Sequence, residues 1–105
     1  MPAIFIYSTF PTSDEAEKAA ALLLDQKLVA CANIMAPHMA LYRWKGQVER
    51  AQEFVVIMKT RAELFDKVKE TIIGLHSYEC PCIVSWPIEA GHAAFLEWIG
   101  DETAI

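Results

Sequence analysis

Residues 40–59 read ALYRWKGQVERAQEFVVIMK, and the fold follows from how this stretch can be arranged. Residues 40–44 alternate in the manner of a strand, Lys45-Gly46 supplies a turn, and residues 48–59 return as a long partner strand, so the stretch is a β-hairpin. Within the returning arm, Phe54, Val55, Val56, Ile57 and Met58 place apolar side chains on both faces. A two-layer α/β sandwich covers only one face of its sheet with helices, so the other face needs a further cover. Counted through Pro37, the arms are roughly 13 residues each and reach about 40 Å, against about 5 or 6 residues for an ordinary strand. Arms of that length overhang their own sheet and present edges to a neighbour, which points to an obligate homo-oligomer. The alternative is a hairpin bent at Pro37 whose second face receives a foreign partner.

Working outward, residues 3–10 form a β-branched and aromatic run ended by Pro11, a strand. Thr12 with Glu15 makes a capping box that opens a helix through Lys27, with Ala16, Ala19, Ala20, Leu23 and Leu24 at helical spacing. Residues 28–34 return to strand, and Pro37 interrupts the extension before residue 40. Thr60 and Glu63 form a second capping box, followed by a stripe of Leu64, Phe65, Val68, Ile72 and Leu75. A strand over 80–86 and a short helix over 90–99 complete the chain. The order is βαββαβ with a helical appendix: an α+β, ferredoxin-like sandwich with an extended hairpin.

At 105 residues and 54% apolar content, the chain has material for one core, so residues 1–105 are expected to be a single domain. A net charge of -5 and the absence of a basic run argue against nucleic acid or an anionic membrane as partner. No segment approaches the roughly 20 apolar residues of a membrane span, and no Lys or Arg precedes the first apolar run as in a secretion signal. Three cysteines cannot all pair within one chain. Thiols two apart are poorly aimed for a bridge, so a reduced, cytoplasmic setting is expected.

The chemistry concentrates in residues 75–87, LHSYECPCIVSWP. If 80–86 is extended, Cys80 and Cys82 point to one face, and a turn places His76 beside them. Two thiolates and an imidazole select Cu(I), Zn or another thiophilic ion. The competing reading is that both cysteines are small apolar filler, since Cys-x-Cys is a weak metal signature. His38 and His92 have no second ligand at a useful spacing and read as surface residues. Lys59, ending a strand before a helix start, either holds an anion or pairs with Glu53 or another carboxylate across a subunit boundary. Trp44, Trp86 and Trp98 fall in apolar contexts that suit packing better than substrate stacking. No phosphate loop, nucleophile elbow or His-Glu-x-x-His helix occurs, and a Cys82–His76 nucleophile pair lacks any local signature.

Residues 28–34 (LVACANI), 42–46 (YRWKG), Glu53 ahead of Met58-Lys59-Thr60, His76-Ser77-Tyr78 before Pro81 and Ile83, and residues 95–99 (FLEWI) together resemble the CutA divalent-cation-tolerance family. The match runs in order through almost the whole chain. The resemblance implies a stable, cytoplasmic, ferredoxin-like homotrimer without established enzymatic activity, linked to tolerance of copper and other divalent ions. It also implies an intersubunit cleft lined by Tyr42, Trp44, Glu53, Lys59, His76 and Tyr78.

The chain departs from that family where metal matters. Ser77, Cys80 and Cys82 stand where the family pattern has Pro, a small residue and Glu. A copper site described in the family uses a Cys at the end of the first strand and two successive His; here those positions hold Ser8 and Leu75-His76, so one ligand of three is carried over. The resulting expectation is a non-catalytic homotrimer binding copper or another divalent or soft ion through His76, Cys80 and Cys82. The alternatives are a small-molecule sensor resembling the PII nitrogen-regulatory trimers, with ligands in intersubunit clefts, and a cysteine-dependent enzyme.

Overall fold

The computed structural model describes residues 2–103. Strand β1 (Ala3–Phe10) lies inside the sheet, antiparallel to β4 (Gln47–Arg61) on one side and β5 (Ile83–Pro87) on the other. Its alternation sorts the residues by face: Ile4, Ile6, Ser8 and Phe10 are buried beneath the helices, while Phe5 and Tyr7 on the opposite face are only half-buried. The sheet order is β2-β4-β1-β5, with β2 spanning Cys31–Ile34 and β3 (His38–Trp44) pairing with the outer part of β4.

Helix α1 (Ser13–Asp25) starts as the sequence predicts, with the Thr12 hydroxyl accepting from the Glu15 backbone N–H at 3.1 Å. Ala16, Ala19, Ala20 and Leu23 are buried. Leu24, included in the predicted stripe, instead faces solvent. The helix ends at Asp25, short of the predicted Lys27, whose φ of 59° instead turns the chain back toward the sheet. The predicted strand over 28–34 pairs regularly only from Cys31.

The hairpin forms as expected. Trp44 pairs with Gln47 across a two-residue turn in which Lys45 and Gly46 have φ of 50° and 81°, a geometry that matches the twist of the arms. Residues 35–37 interrupt the long arm, as Pro37 requires. The ladder nevertheless carries past the end of β2, through the Met35 N–H donating to the Val55 carbonyl at 2.8 Å.

The second capping box is not made. Thr60 is still in β4, opposite Ile4, and its buried hydroxyl donates to the Leu28 carbonyl at 2.6 Å. The strand outcompetes the cap because Thr60 completes the ladder with β1. A short 3-10 turn (Ala62–Leu64) then leads into α2 (Phe65–Leu75), which buries Val68 and Ile72. Thr60→Val, which keeps the shape and leaves the Leu28 carbonyl without its donor, is expected to cost about 1–3 kcal/mol. A urea midpoint unchanged from the parent would refute that role.

Helix α3 (Ala93–Asp101) starts three residues later than predicted and crosses the opposite face of the sheet. Ile99 is fully buried against Ala3 and Ala30, with Leu96 and Ile88 packed around them. Arg61 pins the helix end by donating to the Gly100 carbonyl at 2.6 Å and to the Thr103 hydroxyl at 2.9 Å. This covers one end of the second face. Val55 and Ile57 beyond it are half-buried, and Val84 and Trp86 remain 50% and 42% exposed. The overhanging hairpin stretches the molecule to 44 × 25 × 23 Å.

Candidate functional site

β4 runs beyond the end of β1, whose last residue, Phe10, pairs with Phe54. Glu53 is therefore the first residue past the shared ladder. It lies opposite His38 of β3 and on the sheet face away from α1 and α2. It is 7% exposed, and one carboxylate oxygen accepts from the Tyr78 hydroxyl at 2.9 Å. Burial first, and then the Glu53 carboxylate, push the Tyr78 phenol well above its ordinary range. Tyr78 therefore remains a hydrogen-bond donor to Glu53.

His76 stands behind Tyr78, and its partners specify its tautomer. The Tyr78 backbone N–H donates to Nδ1 at 3.0 Å, so Nε2 carries the proton and donates to the Thr9 carbonyl at 2.7 Å. The side chain has no exposed surface and stacks on Phe10 with centroids 4.7 Å apart. Glu15 braces the same loop: its Oε2 accepts from the Ser77 N–H at 3.0 Å and lies 3.4 Å from Nδ1 of His76. Only half of the first capping box thus exists, since the Glu15 side chain joins the site.

A cavity of about 530 Å³ opens against this framework. Its aromatic lining is Tyr7, Tyr42, Trp44 and Tyr78; Glu53, Glu79, His38, Cys80 and Cys82 supply the ionisable groups. Of the residues expected in the cleft, Tyr42, Trp44, Glu53 and Tyr78 line it together, and His76 supports it from behind. Lys59 lies elsewhere. Its ammonium reaches Asn33 Oδ1 at 2.6 Å and Cys31 Sγ at 3.5 Å, and sits 6.0 Å from the Phe5 and Phe95 ring centroids. His38, read from sequence as a surface residue, is half-buried in β3 and lines the cavity. Tyr7, Thr9 and Glu15 were missed, because strand alternation and a cap explain them without reference to a site.

Cys80 and Cys82 precede β5 instead of lying in it, since the strand begins at Ile83. Cys80 sits in a bend followed by Pro81, which lacks a ladder donor. The Cys82 carbonyl accepts from the Ser8 hydroxyl at 2.7 Å. Both thiols are free and exposed, which is not the environment of core filler. Partial desolvation, followed by the Glu53 carboxylate and then Cys80, pushes the Cys82 thiol up. His76 is not a free third ligand, since both of its nitrogens are engaged. Among the described residues, no group of three His, Cys, Asp or Glu side chains is arranged to hold a metal ion within one chain.

The family model for the CutA1 divalent ion tolerance protein matches residues 4–102. The divalent-cation tolerance protein CutA of Archaeoglobus fulgidus is 48% identical over 99 residues, covering 94% of this chain and 95% of that one. Its counterpart in Pyrococcus horikoshii is 39% identical over 100 residues, covering 95% and 97%. Among solved structures, CutA1 of Thermus thermophilus superposes with a TM-score of 0.95 at 34% identity, over 97% of this chain and 99% of that one. A structure of the Archaeoglobus fulgidus protein superposes with a TM-score of 0.93 at 45% identity, over 95% and 97%. That protein is described as periplasmic, which overturns the cytoplasmic placement expected from unpaired thiols. The inference from cysteines failed because geometry alone keeps Cys31 from pairing with Cys80 or Cys82. It lies on β2, at the far edge of the sheet from β5, three strand spacings or about 14 Å away. With a family model, sequences and backbones that match along nearly its whole length, the chain belongs to the CutA1 divalent ion tolerance family.

Proposed function

We propose that the chain is a non-catalytic homotrimer that binds divalent or soft metal ions such as copper, and so contributes to metal tolerance. The observation that carries this reading is the convergence of Cys80 and Cys82 on the same cavity as the buried Glu53 carboxylate. Thiolates suit Cu(I) and Zn, and a carboxylate is a compatible further donor. The two thiols fit half of a four-coordinate shell. The rest would come from Glu53 after release of Tyr78, from water or from another copy of the chain, and His76 would act by holding the loop. Assembly is supported by the half-open second sheet face around Ile57, Val84 and Trp86 and by the overhanging hairpin. The Cys82–His76 nucleophile pair is not supported, because the His76 nitrogens are bonded to Thr9 and Tyr78.

Titration of the intact protein with Cu(I) and with Zn, followed by thiolate charge-transfer absorbance, tests the reading. The double variant Cys80→Ser, Cys82→Ser is expected to lose about a hundredfold or more in affinity, because half of the ligand shell is removed. Cys31→Ser, altering a thiol beside Lys59, is expected to change little. Binding should release protons and strengthen as pH rises, since the raised Cys82 thiol must ionise to coordinate. Equal affinity in parent and double variant would sink the proposal.

A further inference from the structure

The contact between Glu15 and His76 is one proton short of an ion pair. The Glu15 side chain is only 19% exposed, and its Oε2 accepts from the Ser77 N–H at 3.0 Å. Among the described residues, no Lys or Arg nitrogen lies within 4.0 Å of this carboxylate, and the one group in reach that can become a cation is the His76 ring, whose Nδ1 is 3.4 Å away. With the ring neutral, Nδ1 carries a lone pair and accepts from the Tyr78 N–H, so two acceptors face each other with no proton between them. A carboxylate largely withdrawn from water favours a cation beside it.

Adding the missing proton has a fixed consequence. Nε2 already holds a hydrogen that donates to the Thr9 carbonyl, so the incoming proton goes to Nδ1. Both nitrogens of an imidazolium are donors, and Nδ1 can then no longer accept from the Tyr78 N–H. Its new N–H has Glu15 Oε2 as an acceptor, in a charge-assisted bond. The His76 backbone N–H stays on the Ile72 carbonyl at 2.9 Å, so the change begins beyond His76, at the segment that leads to Cys80 and Cys82. The other groups against the ring are the Tyr78 phenol, with ring centroids 4.9 Å apart, and Glu53 of β4 behind the Tyr78 hydroxyl; β1 presents only the Thr9 carbonyl and the Phe10 ring.

We propose that Glu15 and His76 form a proton-operated latch on residues 77–82, in which the neutral ring holds the Tyr78 amide and the imidazolium releases it to pair with Glu15. All of these groups belong to one chain, and the ring has no exposed surface. The latch therefore needs no open cavity, and it operates with the second sheet face covered by another copy. It goes beyond the metal-binding reading and stands without it, since no thiol takes part.

Proton–nitrogen NMR spectra of the intact, metal-free protein, recorded from about pH 8 to about pH 5, the range in which imidazole ordinarily changes charge, test this. His76 Nδ1 is expected to gain a proton. In the same titration the Tyr78 amide should lose about fivefold or more of its exchange protection, corrected for the intrinsic pH dependence of exchange, while the amides of α2 keep theirs. Glu15→Gln, which retains an oxygen for Ser77 but no charge, should hold the Tyr78 amide within about twofold of its starting protection over the whole range. His76→Gln, which keeps a polar group and takes no proton, should abolish the response. An Nδ1 that stays unprotonated throughout, a protonated Nδ1 with the Tyr78 amide still protected, or a parental response in Glu15→Gln would overturn the proposal. So would joint loss of the Tyr78 and α2 amides, which is unfolding and not the release of a loop.

Discussion

Val56→Asp is expected to unfold the protein, and Ile57→Asp, one residue along, to leave a chain that folds but no longer assembles. Val56 is 1% exposed and packs beneath the helices with Ile6, Met58 and Val68. A carboxylate there has no partner, and burial without one costs several kcal/mol. Against a typical stability of about 5–15 kcal/mol, that removes much or all of the margin. Ile57 pairs with Tyr7 and Asn33 on the opposite face, where it is only half-buried in the single chain. A charge there can reach water until a neighbour covers it, so its cost falls on assembly. Circular dichroism with sedimentation of both variants distinguishes the two. An Ile57→Asp protein that assembles like the parent would mean that this face is not an interface between copies.

His76→Ala is expected to cost about 3–5 kcal/mol. It deletes a fully enclosed ring stacked on Phe10, leaving a cavity in the core. It also strands the Thr9 carbonyl and the Tyr78 N–H, both of which the imidazole satisfies. The loop that carries Tyr78, Cys80 and Cys82 would then lose its anchor to β1, so hydrogen exchange of the Ser77 and Tyr78 amides should rise more than that of α2. His76→Gln, which can offer one polar group, should recover part of the loss. A wild-type unfolding midpoint for His76→Ala would show that the loop is held by other contacts.

The parts legible in the sequence are those in which the local pattern and the tertiary demand coincide. The alternation in residues 3–10, the Lys45-Gly46 turn and the stripe of Val68 and Ile72 each state which side faces the core, and the structure keeps those sides. The doubly apolar run around Val56 and Ile57 is equally readable, because side chains of a strand must divide between two faces. Failures occur where a side chain has two competing uses. Thr60 has the sequence of a cap but completes the β1–β4 ladder and bonds to Leu28, a residue 32 positions away. Glu15 has the sequence of a capping-box acid but turns to Ser77 and His76, from the other half of the chain.

The candidate site divides in the same way. Residue types nominated the two thiols, the family resemblance nominated Tyr42, Trp44, Glu53 and Tyr78, and the fold brings these six to one cavity. Only the tertiary structure decided that Lys59 turns to Cys31 and Asn33 and that His38 faces the cavity. Only it decided that His76 is a buried strut with both nitrogens in use. Spacing along a chain specifies which face of its own element a side chain takes. Which nitrogen carries a proton, and which carboxylate accepts from a tyrosine hydroxyl, depends on groups that meet only when distant segments pack, and local sequence carries no record of them.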